Sequence, residues 1–469
     1  MTHMPVRLSA DDPRLRARES LQSRLEAARV ESQGQPSDIV LVRLEVPVAM
    51  PEAVLQRFPD RERVLWHPPE GPHFAGVGIA HTLTAHGSSR FAQIERGGAE
   101  LWARIRLPAA SRRNWDSPRL FGGFAFSPEG ASSEAWSEFG SARFILPRVT
   151  YAVQHDQAVL TLAIERSELE RASSEAVALF HRVYEAILQN PEPLPSRAVR
   201  PLCRQELDAE SFERQVDQLL ERITLGELRK VVAAREVLLS FAAPLDAVAT
   251  VIGLREQAPE CLRFLFSAKD AAFLGATPER LLRKRARLLQ TEALAGSIDA
   301  GADSPERNLQ ASPKELEEHE LVVSSITRAL APVCDTPKLP SRPGVRSLKH
   351  ILHLCTPIEA TLHVDTHVLE LVELLHPTPA VGGVPTRAAL EWIQRTEPFD
   401  RGWYAGAVGW FDSLGDGDFN VALRAGLVRA ERAWLYAGAG IVRESRAAPE
   451  YAETTLKLSA VLTSLRSRA

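Results

Sequence analysis

The sequence predicts a fold of mixed strands and helices in which β-meanders are prominent, and three observations carry that prediction. Runs in which apolar and polar residues alternate recur between residues 38 and 164, the period of a strand with one buried face. Near the C-terminus three such runs (402–411, 419–428 and 432–442) follow one another, with SLGDGD between the first two as a hairpin turn. Segments of helical period stand among the strands, yet no GxGxxG opens a strand–helix–strand unit, so a parallel dinucleotide-binding sheet is not indicated.

Taken in order, residues 13–30 put apolar side chains at helical spacing in a charged segment, an outer helix. QGQPS (33–37) is a loop and DIVLVRLEV (38–46) a strand. Residues 64–66, 74–79 and 100–107 read as further strands. LFGGFAF (120–126) is an apolar strand whose paired glycines point to a bulge or close backbone packing. Residues 142–151 and 158–164 continue the β pattern, and 167–188 switches to helical period. NPEPLPS (190–196) then connects a β-rich half with an N-terminal helix, 1–196, to a second half, 197–469. That half opens with a helix at 211–224 and the apolar run KVVAARE (230–236). Strands at 261–268 and 271–276 close at Thr277–Pro278–Glu279. A loop (299–310), a helix (314–330), two helices (366–375 and 386–395) around HPTPAVGGVP, the meander and a last helix (449–465) complete the chain.

Composition narrows the function. Of 469 residues 45% are apolar and 25% charged, enough for a large core, and a net charge of −4 leaves no basic footprint for nucleic acid. The four cysteines (Cys203, Cys261, Cys334, Cys355) form no CxxC or Cys/His cluster, which speaks against zinc or a disulfide framework and suits a reducing cytoplasm. The first residues lack the apolar core of a signal peptide, and no apolar run reaches the ~18 residues of a membrane span. SLGDGDFN lacks the spaced ligands and closing glutamate of a calcium loop.

Two stretches carry candidate chemistry. In KELEEHELVV (314–323), Glu315 and Glu318 share one helix face; in PEYAETTLK (449–457), Glu450 and Glu453 do the same. Like charges so spaced repel unless a cation lies between them. The two pairs could build an all-oxygen site for a hard cation such as Mg²⁺, or could be solvated faces of two surface helices.

From residue 225 onward the chain resembles the chorismate-utilising enzymes, and within them the isochorismate synthases of menaquinone or siderophore type. The blocks that carry the resemblance are LRKVVAAR (228–235), FLGATPERLL (273–282), TEALAGS (291–297), KELEEHELVV, LHLCTPIEATL (352–362) and LHPTPAVGGVP (375–385). EPFDRGWYAGAVG (397–409), ALRAG (422–426) and YAGAGIVRESRAAPEYAETTLK (436–457) come next in order; the N-terminal half matches more loosely, through LFGGFAF and FILPR. The resemblance implies one large α+β domain of stacked antiparallel sheets flanked by helices, with a cleft between two halves.

It also implies roles. Lys230 is the base that activates water; a buried lysine beside a metal loses its proton more easily, and relatives that use ammonia tend to carry another residue here. Glu279 is the general acid for the departing C4 hydroxyl, which requires a carboxyl kept protonated by burial. Glu318 and Glu453 are direct Mg²⁺ ligands, with Glu315 and Glu450 around metal-bound water. Arg424, in a strand, pairs with the enolpyruvyl carboxylate, and Tyr404 and Lys457 touch the substrate carboxylates. His353 is a pocket histidine or a satisfied core one. Gly296 and Ser297 offer backbone contacts near the acid, and Gly438 and Gly440 allow close approach of a ligand.

Three positions depart from the pattern: SIDAG (297–301) where an arginine-containing sequence is usual, Ala293 for proline and Cys355 for serine. The expected reaction is Mg²⁺-dependent conversion of chorismate to isochorismate. A salicylate synthase, which would go on to eliminate pyruvate, shares the same residues, and a non-catalytic chorismate-binding protein would show erosion of the acid, base or metal set. Enzymes that use water need no amidotransferase subunit, so a monomer or weak homo-oligomer is expected.

Overall fold

The computed structural model describes residues 13–32, 38–105, 114–130, 133–171 and 174–468. Two 13-residue strands, His73–Ala85 and Ala142–Gln154, pair antiparallel along their length and belong to two layers at once. The first end of Ala142–Gln154 also takes Leu120–Phe124, and its last half takes Gln157–Glu165, which pairs with Ile39–Val46. A register shift between Ile79 and His81 lies where the long pair passes from one layer to the other, and an unpaired residue of this kind bends a ribbon.

One layer runs outward from His73–Ala85 through Arg63–His67, Leu262–Ala268, Ala271–Thr277, Ala425–Arg429 and Arg432–Ile441 to Lys230–Ser240. The other runs from Leu120–Phe124 through Ala407–Phe411, Gly417–Val421, Arg280–Arg285 and Leu288–Asp299 to Ile351–Thr361. Every one of these pairings is antiparallel. The first half of the chain is paired into the second at Val64–Trp66 with Phe264–Phe266, and at Leu120–Phe124 with Ala407–Phe411.

Strand alternation explains the layering. Phe264 and Phe266 face inward, into an apolar cluster shared with Phe124, Phe144 and Phe419 of the other layer. Leu265, between them, faces outward into a second cluster with Val251, Leu179 and Val461 of the covering helices Ala247–Gln257, Glu175–Leu188 and Ala447–Ser464. Trp403 joins the layers, its ring 5.9 Å from Phe266 of one and 2.9 Å from where a Cβ on Gly123 of the other would stand, with Phe139 at 5.1 Å.

Three local expectations are corrected. Residues 100–105 are not a strand: Glu100 lies in the helix Arg90–Arg104, whose buried Phe91, Ile94, Gly98 and Leu101 keep helical spacing, while 106–107 fall outside the described residues. The expected strand 419–428 is broken into Gly417–Val421 and Ala425–Arg429 by Ala422–Arg424, with Arg424 at φ +48°, so this arginine is not in a strand. The segment 167–188 holds two helices, Arg166–Leu169 and Glu175–Leu188, the second capped by Ser174, whose hydroxyl accepts from Val177 N–H. Among the described residues no helix is long and apolar enough to cross a membrane.

Candidate active site

The strand Ala271–Thr277 ends at Pro278, which has no N–H to give a ladder, and the chain re-enters the other layer as Arg280–Arg285. Glu279 sits at this crossing and is 4% exposed. Thr277 Oγ1 donates to Val421 O (2.6 Å) and accepts from Glu279 N (3.3 Å), and Glu279 O accepts from Val421 N (3.1 Å). Burial, with Glu292 nearby, pushes the Glu279 carboxyl up to about 8 against the pull of Lys230, Lys457 and Arg346. Its environment therefore favours a protonated carboxylic acid at neutral pH.

The helix Pro313–Leu330 starts at Ser312, whose Oγ accepts from Glu315 N (3.4 Å), with proline in the first turn. This sets Glu315 and Glu318 toward the first turns of Ala447–Ser464, which carry Glu450 and Glu453. A cation does lie between the carboxylates, and it is the chain's own: Lys314 Nζ is 2.7 Å from Glu450 Oε1 and 3.1 Å from Glu315 Oε1. These two glutamates outweigh burial and hold the Lys314 ammonium well above the usual lysine range. Glu315 Oε2 accepts from Ser297 N (2.8 Å).

The other two carboxylates have lysines as well. Glu453 Oε1 is 2.5 Å from Lys457 Nζ, which also donates to Gly438 O (3.0 Å). Burial would raise Glu453, but Lys457 overrides it and brings the carboxyl down to about 2. Lys230, fully buried, approaches Glu318 Oε1 at 2.9 Å without the alignment of a hydrogen bond, and among the described residues its ammonium has no hydrogen-bond acceptor. Gly440 makes room for this contact, since a Cβ there would lie 2.2 Å from Glu318 Oε1 and 2.9 Å from Lys230 Cε.

The donor chemistry fits a hard divalent cation. All four groups are carboxylates, and Glu315 and Glu450 are raised by burial and by the neighbouring Glu318 and Glu453 against the pull of Lys314. Among the described residues no three His, Cys, Asp or Glu side chains converge at ligating distance; lysines separate them.

Opposite the acidic helix ends is a polar chain. Gly296, at φ +77°, marks a register shift in the Leu288–Asp299 ladder that turns Ser297 N toward Glu315. Ser297 Oγ is 3.0 Å from His353 Nδ1, and Arg424 Nη2 is 3.1 Å from His353 Nε2. A guanidinium can only donate, so Nε2 accepts and Nδ1–H is donated to Ser297 Oγ. Burial and Arg424 hold His353 well below the usual histidine range, in agreement with a neutral ring. Tyr404 stacks on Tyr436 at 5.1 Å, and burial raises its hydroxyl to about 12.

One cavity is lined by Glu279, Gly296, Ser297, Glu318, His353, Tyr404, Arg424, Gly438, Gly440 and Lys457, with apolar Val232, Leu294, Val381 and Leu423. Of the residues singled out from sequence, Lys230, Glu315, Glu450 and Glu453 do not line it. Lys230 stands behind Glu318, Glu453 behind Lys457 and Glu315 behind Ser297, with Glu450 a step further back through Lys314. Sequence reasoning gave no role to three charged residues here. Lys314 and Glu292 stand inside blocks already read, and Glu292 could have been noticed as a charge in the apolar run TEALAGS. Arg346 comes from SRPGVRS, a stretch with loop composition, and carries no local signal.

Layered antiparallel sheets around a small cavity, with a buried carboxyl whose ionisation is disfavoured, a buried amine and a guanidinium, define an enzyme site for a small anionic substrate. The chain belongs to the chorismate binding enzyme family, whose model matches residues 23–466. It is 37% identical over 438 residues to the salicylate biosynthesis isochorismate synthase of Pseudomonas aeruginosa, covering 90% of this chain and 89% of that one. Identity to isochorismate synthase MenF of Bacillus subtilis is 30% over 415 residues, or 86% and 88% of the two chains. The solved structure of the menaquinone-specific isochorismate synthase MenF of Escherichia coli superposes with a TM-score of 0.76 at 27% identity, over 95% of this chain and 99% of that one. The layered α+β fold expected from sequence is thus the fold observed.

Proposed function

We propose that this protein is an Mg²⁺-dependent isochorismate synthase, which adds water at C2 of chorismate and expels the C4 hydroxyl. The observation that carries this reading is Glu279, a buried carboxyl held up at about 8 in a cavity that also offers Arg424 and Lys457 to anionic groups. Chorismate has two carboxylates. Arg424, fixed through His353 and Ser297, is assigned to the enolpyruvyl carboxylate, with Tyr404 beside it.

Glu318 and Glu453 would hold Mg²⁺ directly, with Glu315 and Glu450 behind them. When bound, the ion would supply positive charge for the ring carboxylate and for the four glutamates, of which Glu318 and Glu450 are buried and Glu315 and Glu453 half-buried. Glu279 gives its proton to the C4 oxygen, which leaves as water. Lys230 Nζ takes a proton from the water that attacks C2, while the two ring double bonds shift toward C4. One water enters and one leaves, so the reaction is an isomerisation. Burial of Lys230 keeps bulk water from its amine. The pathway served, menaquinone or siderophore, is set by the enzyme that consumes the product.

The test is chromatography of the products formed from chorismate and Mg²⁺, against an EDTA control. Isochorismate alone, lost with EDTA, is expected. Salicylate with pyruvate would move the protein to the lyases, and no Mg²⁺-dependent product would overturn the proposal.

A further inference from the structure

Glu292 lies on Leu288–Asp299 and is 7% exposed. Arg346, on the short strand Gly344–Ser347 at the far side of Ile351–Thr361, meets it with both prongs: Nη1 to Oε1 at 2.6 Å and Nη2 to Oε2 at 2.8 Å. The same two side chains also grip the backbone around residue 279. Arg346 Nη1 donates to Pro278 O at 2.7 Å, and Glu292 Oε1 accepts from Arg280 N at 3.0 Å. The carbonyl before Glu279 and the N–H after it are therefore both tied to one ion pair. We propose that Glu292 and Arg346 are positioning residues for Glu279, clamping the peptide groups on both sides of it and fixing the balance of charge behind its carboxyl.

The proposal rests on Glu279 being the acid of the reaction above. Its physical basis is that a fork-to-fork pair holds geometry more firmly than single hydrogen bonds, and an acid displaced by a fraction of an ångström loses rate without losing substrate affinity. The pair also acts through charge in two opposed directions. Glu292 disfavours ionisation of Glu279, and Arg346 favours it. Lys230, Lys457, Tyr404 and Cys355 act on this carboxyl through charge, and Glu318, His353 and Arg424 line the same cavity; none of them is changed in the variants that test the pair.

Three variants separate the two effects. Glu292→Gln keeps an acceptor for Arg280 N but leaves Arg346 uncompensated, so the alkaline limb of the activity profile moves to lower pH. Arg346→Gln leaves Glu292 uncompensated and moves the limb to higher pH. Each shift is expected to be on the order of one pH unit. Arg346→Lys keeps the charge and loses the fork; kcat falls on the order of ten- to hundredfold while KM stays near that of the parent. Limbs that stay fixed, or move in the same direction, would overturn the proposal, as would an Arg346→Lys variant with full kcat. If a single variant does not fold, Glu292→Gln/Arg346→Gln, which buries no unpaired charge, takes its place: kcat is lost while the limb returns to its parental position, and a parental kcat would overturn the clamp. Titration of Glu279 by carboxyl ¹³C shifts in ¹³C-glutamate-labelled protein, assigned with Glu279→Gln, reads the same opposed shifts without turnover. If the parent protein makes no isochorismate, the functional reading fails while this titration still decides the positioning role.

Discussion

In the proposed reaction Glu279 is the acid, and its behaviour follows from opposed surroundings. Burial and Glu292 favour the neutral carboxyl; three cationic side chains favour the ion; burial wins and leaves the group at about 8. An acid works only while protonated, so kcat/KM is expected to be flat on its alkaline side until about 8 and then to fall tenfold per pH unit. An alkaline limb near the ordinary carboxyl range, measured on enzyme that stays folded, would remove Glu279 as the acid. Glu279→Gln keeps the shape and loses the proton, and kcat is expected to drop by about 10²–10⁴ with circular dichroism unchanged. Lys230→Ala is expected to abolish turnover while the fold persists. Substantial remaining turnover would send the search for a base elsewhere. Both residues were legible in the sequence through the blocks around them. What the sequence could not show is that Lys230 stands one side chain behind the cavity wall, because that depends on Glu318 arriving from a helix 88 positions along the chain.

At the scale of elements, the site is where two helix starts meet two strands. The Ser312 cap and the first turns of Ala447–Ser464 bring the two glutamate pairs into one region with lysines between them, and Gly440 of YAGAG lets the strand Arg432–Ile441 pass beneath Glu318. Helical spacing made the paired carboxylates readable, and the repulsion argument called for a cation. Which cation the chain itself provides was not readable, since Lys314 reaches across to the other helix. Gly440→Ala tests this arrangement: its Cβ would collide with Glu318 Oε1, and the Mg²⁺ concentration for half-maximal activity is expected to rise on the order of tenfold or more. An unchanged Mg²⁺ titration would show that Glu318 does not serve the metal. The helix Arg90–Arg104 was misread for a physical reason. The sequence ELWARIRL (100–107), which spans its C-terminal end, alternates like a strand, and only the burial of Phe91, Ile94 and Leu101 reveals the longer period.

For the whole molecule, strands from both halves of the sequence share two layers, joined by His73–Ala85 and Ala142–Gln154, while the residues that line the cavity all come from the second half, Val232 to Lys457. Trp403, packed against Phe266 of one layer and Phe139, precedes Tyr404 of the cavity directly, so packing of the layers and shape of the site are linked. Trp403→Ala is expected to cost about 3–5 kcal/mol in chemical denaturation. A loss below about 1 kcal/mol would show that the ring does not join the layers. Antiparallel meanders were visible in the alternation of single strands, but their order in the sheets was not, because partners such as Val64–Trp66 and Phe264–Phe266 lie far apart in the chain. The central claim is that water, activated at Lys230, adds to C2 as Glu279 releases the C4 oxygen. The direct measurement is turnover of chorismate in H₂¹⁸O with Mg²⁺, with the product located by mass spectrometry and NMR. One ¹⁸O at C2 of isochorismate is the predicted result; isochorismate without label would mean the hydroxyl migrates within the substrate, and would contradict the account.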